Sequence, residues 1–239
     1  MALVTGATSG IGRAVAVALA SVGCRVVATG RNPERLREIG EILGPSAFPL
    51  SLDLADTAAI AKLPGSLPDA FGKPSILINN AGEDVGGRTR FDESSADELA
   101  RVIEINLIGV IRIVRALVPA MIEHGNGDIV SIGSTQAMRT TRNLAAYTAS
   151  KTGLHGLSDV LRADYAKSGI RVTEIIPGLT RTSFAQTRMR GDRQQAQAFF
   201  DQFPFTLAPE DVSDAVLYAL TRPRHVNLHQ IVITPSWQW

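Results

Sequence analysis

Residues 2–22, Ala-Leu-Val-Thr-Gly-Ala-Thr-Ser-Gly-Ile-Gly-Arg-Ala-Val-Ala-Val-Ala-Leu-Ala-Ser-Val, decide the fold. Ala2 to Thr5 is a short apolar run of strand character, and Ile11 to Val22 repeats its apolar residues at helical period. Between them Gly6, Gly10 and Gly12 permit a tight turn and a close backbone approach. A strand running through such a turn into a helix places free N–H groups and the positive end of a helix dipole together, a cradle for a pyrophosphate. The spacing is G-x-x-x-G-x-G rather than G-x-G-x-x-G, so the mechanism matches the common dinucleotide pattern while the letters do not. A purely structural glycine turn is the alternative. On the binding reading, Gly6, Thr8, Ser9, Gly10, Ile11 and Gly12 line the phosphates.

Outward from this unit the alternation continues. Strands are expected at Arg25 to Thr29, Ala47 to Leu50, Ser75 to Ile78, Asp128 to Ile132, Arg171 to Ile176 and Gln230 to Ile233. Helices are expected at Pro33 to Leu43, Thr57 to Phe71, Ala96 to Glu123, Ala146 to Lys167 and Pro209 to Thr221. The strands are almost continuously apolar, as when helices cover both faces of a parallel sheet. The pattern predicts an α/β, Rossmann-like doubly wound fold with a seven-stranded parallel sheet, a single domain over residues 1–239. Thr180 to Pro204 resists the period, being polar and rich in Arg and Gln, and reads as a flexible segment over a pocket.

Bulk numbers set limits. The 239 residues are 45% hydrophobic and 20% charged, with 24 basic against 23 acidic side chains. That balance points to neither nucleic acid nor an anionic membrane. No basic leader precedes an apolar stretch and no run of about 18 apolar residues occurs, so a soluble cytoplasmic protein is expected. Cys24 is the single cysteine and reads as a structural thiol. His124, His155, His225 and His229 are scattered, and no metal site is expected.

Cofactor choice is read after the second strand. There the chain has Gly30-Arg31-Asn32, with no carboxylate for a ribose 2′-hydroxyl and a cation suited to a 2′-phosphate, which predicts NADP(H). A solvated surface arginine is the competing reading. Tyr147 and Lys151 stand four apart in a helical pattern, on one face, where a cation lowers the pKa of a phenol otherwise too weak for acid–base work. Ser134 ends the fifth strand at the carboxyl edge of the sheet, within reach of a reacting oxygen.

These residues resemble the short-chain dehydrogenase/reductase family over essentially the whole chain. The shared motifs are Thr5-Gly6-x-x-x-Gly10-x-Gly12, Asp53, Asn79-Asn80-Ala81-Gly82, Asn106-x-x-Gly109, Ser134, Tyr147-x-x-x-Lys151, and Pro177-Gly178 followed by Thr182. The resemblance implies a catalytic tetrad of Asn106, Ser134, Tyr147 and Lys151, with Tyr147 as acid or base, Ser134 polarising the substrate oxygen and Asn106 organising a water. It implies that the glycines, Arg31, Asp53, Asn80, Ala81, Gly82, Pro177 and Gly178 line the cofactor, with Ile176 and Thr182 near the nicotinamide. It also implies that the two long helices pair with two-fold mates, so a homo-oligomer, commonly a tetramer, is expected. The tail Trp237-Gln238-Trp239 suits such a contact.

Within the family, Phe184 to Asp192, Leu207 to Ser213 and His225-Val-Asn227 are similar to the 3-hydroxy acid dehydrogenases that oxidise L-serine, L-allo-threonine and 3-hydroxypropionate, and to sulfoacetaldehyde reductases. The loops Glu83 to Arg90 and Gln136 to Asn143 depart from that subgroup. On this reading Arg188 or Arg190 pairs with a substrate carboxylate or sulfonate; a solvated basic face is the alternative. A 3-oxoacyl-thioester or neutral-carbonyl reductase is the rival enzyme, disfavoured because the segment looks polar where an acyl chain needs an apolar slot. An NADP-sensing regulator without chemistry is the rival outside enzymes.

Overall fold

The computed structural model describes residues 1–86 and 89–238. Strands β1 (Ala2–Val4), β2 (Val26–Gly30), β3 (Ala47–Ser51), β4 (Ile76–Asn79), β5 (Gly127–Ile132), β6 (Ile170–Pro177) and β7 (Gln230–Ile233) form one sheet in the order β3-β2-β1-β4-β5-β6-β7. Every neighbouring pair is parallel. The winding reverses between β1 and β4, and a crevice opens there at the carboxyl ends of the strands.

The period-2 alternation of the strands sorts their side chains into two layers. Leu3, Val27, Leu77, Ile129 and Val172 meet α3 (Thr57–Ser66), α5 (Gly109–Glu123) and α6 (Ala145–Tyr165) on one face. Ala2, Val4, Val26, Ile78, Val130 and Ile175 meet α1 (Gly10–Ser21), α2 (Pro33–Leu43) and α9 (Pro209–Leu220) on the other. The central strands therefore carry no polar face, as their unbroken apolar runs require.

Local chemistry sets the helix limits. Asn32 caps α2 by accepting from the Arg35 backbone N–H at 2.9 Å, with Pro33 at the first helical position. Asp56 caps α3 through Ala59 N at 2.9 Å. The expected helix to Phe71 stops earlier, because Pro68 pushes Leu67 into extended backbone (ψ 136°), and only a 3-10 turn follows at Asp69–Phe71. The stretch 96–123 is interrupted: α4 (Ala96–Ile103) passes through a π-helical turn at Glu104–Ile108 before α5 begins. By length and hydropathy Ala96–Glu123 is long enough to cross a membrane, yet it packs into this core, where Val102, Ile105, Ile113 and Val114 all face inward.

Residues 180–204 are built rather than irregular. They form α7 (Phe184–Arg188) and α8 (Arg193–Phe200), the latter capped by Asp192. Arg190 (φ 51°) and Gly191 (φ 94°) reverse the chain between them. Trp237 stacks on Phe203 at 4.9 Å and 13°, and its indole donates to the Phe205 carbonyl at 2.6 Å. The tail is thus anchored by its own chain, so Trp237 needs no subunit contact to hold it; Trp239 lies outside the described residues.

Candidate active site

A cleft of about 820 Å³ lies at the switch point. Every residue anticipated for cofactor or catalysis lines it except Gly12, Asn106 and the fully buried Ile176. The floor is the turn before α1. Gly6 (φ 65°) and Gly10 (φ 51°) occupy the left-handed region, and a Cβ at Gly12 would stand 2.3 Å from both the Gly6 oxygen and Asn80 Nδ2. Thr5 and Asn80 lock this turn. The Thr5 hydroxyl accepts from the backbone N–H groups of Asn80 and Ala81, each at 2.9 Å, and Asn80 Nδ2 donates to the Thr5 oxygen at 2.8 Å. Asn80 is therefore a brace of the cradle, and Thr5, which the sequence placed in the glycine motif without a role, is its partner. No side chain caps α1 at Ser9, and its first turn holds no acid. Its leading N–H groups are aimed at the cleft, a fit for a phosphate.

Arg31 follows β2 and is half exposed. Its Nη1 stands 3.4 Å from Glu83 Oε2 and 3.9 Å from Asp53 Oδ2. Glu83 is buried and also meets Arg101 Nε at 2.7 Å. The cation thus rests against acids and remains available to a 2′-phosphate, because such a half-exposed pair contributes only about 0–1 kcal/mol. The acidic pair Glu83-Asp84, directly after the Asn-Ala-Gly motif, was the signal in the sequence for this cluster.

Ser134, Tyr147 and Lys151 converge on the cleft wall. The Ser134 hydroxyl accepts from Gln136 N at 3.2 Å. Lys151 is buried and its Nζ donates to the Ile132 carbonyl at 2.7 Å. Burial lowers its pKa to about 8, while the charge of Glu174 acts in the opposite direction. Burial raises the Tyr147 phenol; the Arg188 charge and the Ser134 hydrogen bond oppose that rise, and the Asp84 charge adds to it. Arg188 is thus a second cation beside the phenol. Its Cζ lies 5.5 Å from the Tyr147 ring centroid, against 5.8 Å for Lys151 Nζ.

Asn106 lies in the π-helical turn, 1% exposed. Its Oδ1 accepts from Glu83 N at 2.8 Å, and its Nδ2 donates to the Glu83 oxygen at 2.9 Å and to the Ser150 hydroxyl at 3.1 Å. Both amide hydrogens are engaged within the protein, so the side chain acts as a clamp between the Glu83 loop and α6. A π-helical turn at a functional position is a recurrent device.

The two candidate anion readers part ways. Arg188 is mostly covered, its side chain 11% exposed, and its Nε donates to the buried Asp84 Oδ2 at 2.6 Å, beside the rings of Tyr147 and Phe184. Arg190 is 60% exposed and forms a two-pronged pair with Glu98, 2.8 Å for Nη2 to Oε2, at the cleft mouth. The impression that 180–204 lacks apolar lining is corrected. Beside polar lining from Thr182, Gln186 and Arg188, Phe199, Phe200 and Phe203, with Trp237, turn an aromatic wall toward the cleft.

Fold and cleft together define an oxidoreductase of the doubly wound, dinucleotide-binding kind. The chain belongs to the short-chain dehydrogenase family, whose model matches residues 1–193. The NADP-dependent 3-hydroxy acid dehydrogenase YdfG of Escherichia coli (strain K12) is 36% identical over 237 residues, 99% of this chain and 95% of that protein. The closed form of a serine dehydrogenase complexed with NADP+ shares the fold at a TM-score of 0.96 and 36% identity, over 100% of this chain and 96% of that one. An actinorhodin polyketide ketoreductase with NADPH follows at 0.87 and 31%, over 97% and 94%.

Proposed function

We propose that the protein is an NADP(H)-dependent oxidoreductase that interconverts a small 3-hydroxy acid, or a hydroxy-sulfonate, and the corresponding carbonyl compound. The observation that carries the substrate class is Arg188, largely covered beside Tyr147 with its Nε held by Asp84. That bond leaves the two terminal nitrogens of the guanidinium for a planar anion on the Tyr147 side of the cleft, Cζ standing 5.5 Å from the Tyr147 ring. When bound, the nicotinamide supplies or accepts the hydride. The chain contributes orientation and a proton. The Ser134 hydroxyl holds the substrate oxygen, and Tyr147 protonates that oxygen in reduction and deprotonates it in oxidation. The Lys151 and Arg188 cations favour the phenolate that remains after protonation. Similarity to YdfG and to the serine dehydrogenase supports the acid reading. The protein is read as a cytoplasmic homo-oligomer, in keeping with its near-neutral charge of +1.

The test is an NADPH-coupled assay on a 3-oxo acid or small aldehyde acid and on its neutral amide or ester. Arg188→Ala is expected to lower kcat/KM for the acid by roughly tenfold to hundredfold, as for a charge-assisted bond of about 1.5–3 kcal/mol, and to leave the neutral analogue within a few-fold. Equal rates for acid and neutral analogue in the unmodified enzyme end the acid reading. The aromatic wall of Phe199, Phe200, Phe203 and Trp237 favours one second reading, reduction of a longer apolar carbonyl such as a 3-oxoacyl thioester. On that reading kcat/KM rises with chain length in the same assay.

A further inference from the structure

Behind the catalytic wall lies a carboxylate that the reaction as described does not use. Glu174 on β6 is 0% exposed. Register pairs it with Ser131 of β5, and its neighbour Ile175 pairs with Ile132. Its Oε2 meets His155 Nδ1 at 2.7 Å, while its Oε1 is buried without a hydrogen-bond partner. That oxygen fills the space beside the Gly133 α-carbon: a Cβ at Gly133 would stand only 2.2 Å from it. The carbonyl of the Ile132–Gly133 peptide accepts from Lys151 Nζ at 2.7 Å. One peptide unit, leading directly into Ser134, therefore has the lysine ammonium on its oxygen and a buried carboxylate against its α-carbon. Lys151 and His155 are four residues apart on α6, so one helix face presents both groups to the end of the sheet.

We propose that Glu174, seated by His155 and admitted by the missing side chain of Gly133, is a positioning residue that keeps Lys151 cationic and thereby sets the pH range of proton transfer. The role rests on the reading of Lys151 as part of the acid–base machinery. A lysine this deeply buried loses its charge unless a counter-charge holds it. Tyr147 carries no charge in its resting form, and Arg188 and Asp84 form their own pair on the cleft side. Around Glu174 the facing groups are Lys151 and His155, with Asp159 behind the imidazole at 3.8 Å from its Nε2 and itself held by Arg162 at 2.6 Å. Burial raises the Glu174 carboxyl, and the His155 hydrogen bond, the His155 charge and the Lys151 charge oppose that rise. His155 thus keeps the carboxylate usable as a counter-charge.

The chain has only four lysines, Lys62, Lys73, Lys151 and Lys167, so the protein labelled with 13C at lysine Cε allows each to be titrated by NMR without any turnover. Lys151 is expected to titrate near pH 8, and in Glu174→Gln its midpoint is expected to fall by about one pH unit, an ordinary effect for loss of one nearby opposite charge. The other three lysines stay in place. The alkaline limb of kcat/KM for reduction should move down by the same amount, because that profile reports the free enzyme. Should the Gln variant not fold, Glu174→Met removes the charge and puts no polar atom in the buried Oε1 position, leaving only the partly exposed His155 Nδ1 to water, and carries the same expectation. A Lys151 midpoint that is unchanged or higher in the folded variant overturns the inference. Failure of the catalytic reading is separate: it shows as Tyr147→Phe retaining activity, whatever Lys151 does in the titration.

Discussion

Replacing Arg31 by Ala isolates the charge that separates NADPH from NADH. A charge-assisted bond from a guanidinium to a phosphate contributes about 1.5–3 kcal/mol before screening. Arg31 is half exposed, at 53% of its side chain, so a value in the lower half of that range applies, about 2 kcal/mol. On meeting the phosphate it gives up its contacts with Glu83 at 3.4 Å and Asp53 at 3.9 Å. Glu83 keeps Arg101 at 2.7 Å and is not stranded, so this loss is about 0.5 kcal/mol. The balance of about 1.5 kcal/mol corresponds to roughly tenfold in affinity. Fluorescence titration should accordingly show Arg31→Ala binding NADPH about tenfold more weakly, with NADH changed less than about twofold because its 2′-hydroxyl bears no charge. The NADPH deficit should shrink as salt is raised, since the contact is partly exposed. Equal losses for the two cofactors, or a tenfold preference of the unmodified enzyme for NADH, would refute the assignment of Arg31.

Three further outcomes are expected. Tyr147→Phe removes the transferable proton and should lower kcat by about a hundredfold or more, with NADPH affinity intact; turnover within a few-fold of the parent would remove Tyr147 from the role of acid. Gly12→Ala drives a methyl into the Gly6 oxygen and Asn80 Nδ2, both 2.3 Å away, and should lower stability by about 1–3 kcal/mol, with weakened NADPH binding; an unchanged melting temperature and NADPH affinity would show that the turn is free to move. Light scattering at micromolar concentration should give a homo-oligomer, with Ile111→Arg on α5, a position 44% exposed, shifting it toward monomer, while a monomeric parent protein would end the expectation of pairing through the long helices.

Much of this protein follows from local rules. Periodicity over five to twenty residues sets the strands and helices, because each element must turn a particular face to the core, and the predicted strand positions agree with the observed ones to within a residue or two. The glycine turn before α1 was legible for the same reason: its backbone demands are met by residues adjacent in the chain. The single helix turn between Tyr147 and Lys151 was equally plain. What the sequence could not declare depends on segments meeting across the sheet edge. Asp84 and Arg188 are 104 residues apart, and nothing local marks them as a part-buried pair beside Tyr147. The polar residues of 180–204 hid its aromatic inner face, which is defined only once Phe203, just beyond α8, stacks on Trp237 of the tail. The π-helical turn holding Asn106 arises where one long apolar helix must satisfy both the Glu83 loop and Ser150. Glu174 sits in a strand whose alternation reads as ordinary core, and its meaning comes from β5, which brings Gly133 and the Lys151 hydrogen bond against it. Element type is settled by short-range sterics and apolar spacing that a linear chain displays, whereas the charge environment of a buried group is settled by whichever distant residues folding brings within a few ångströms of it.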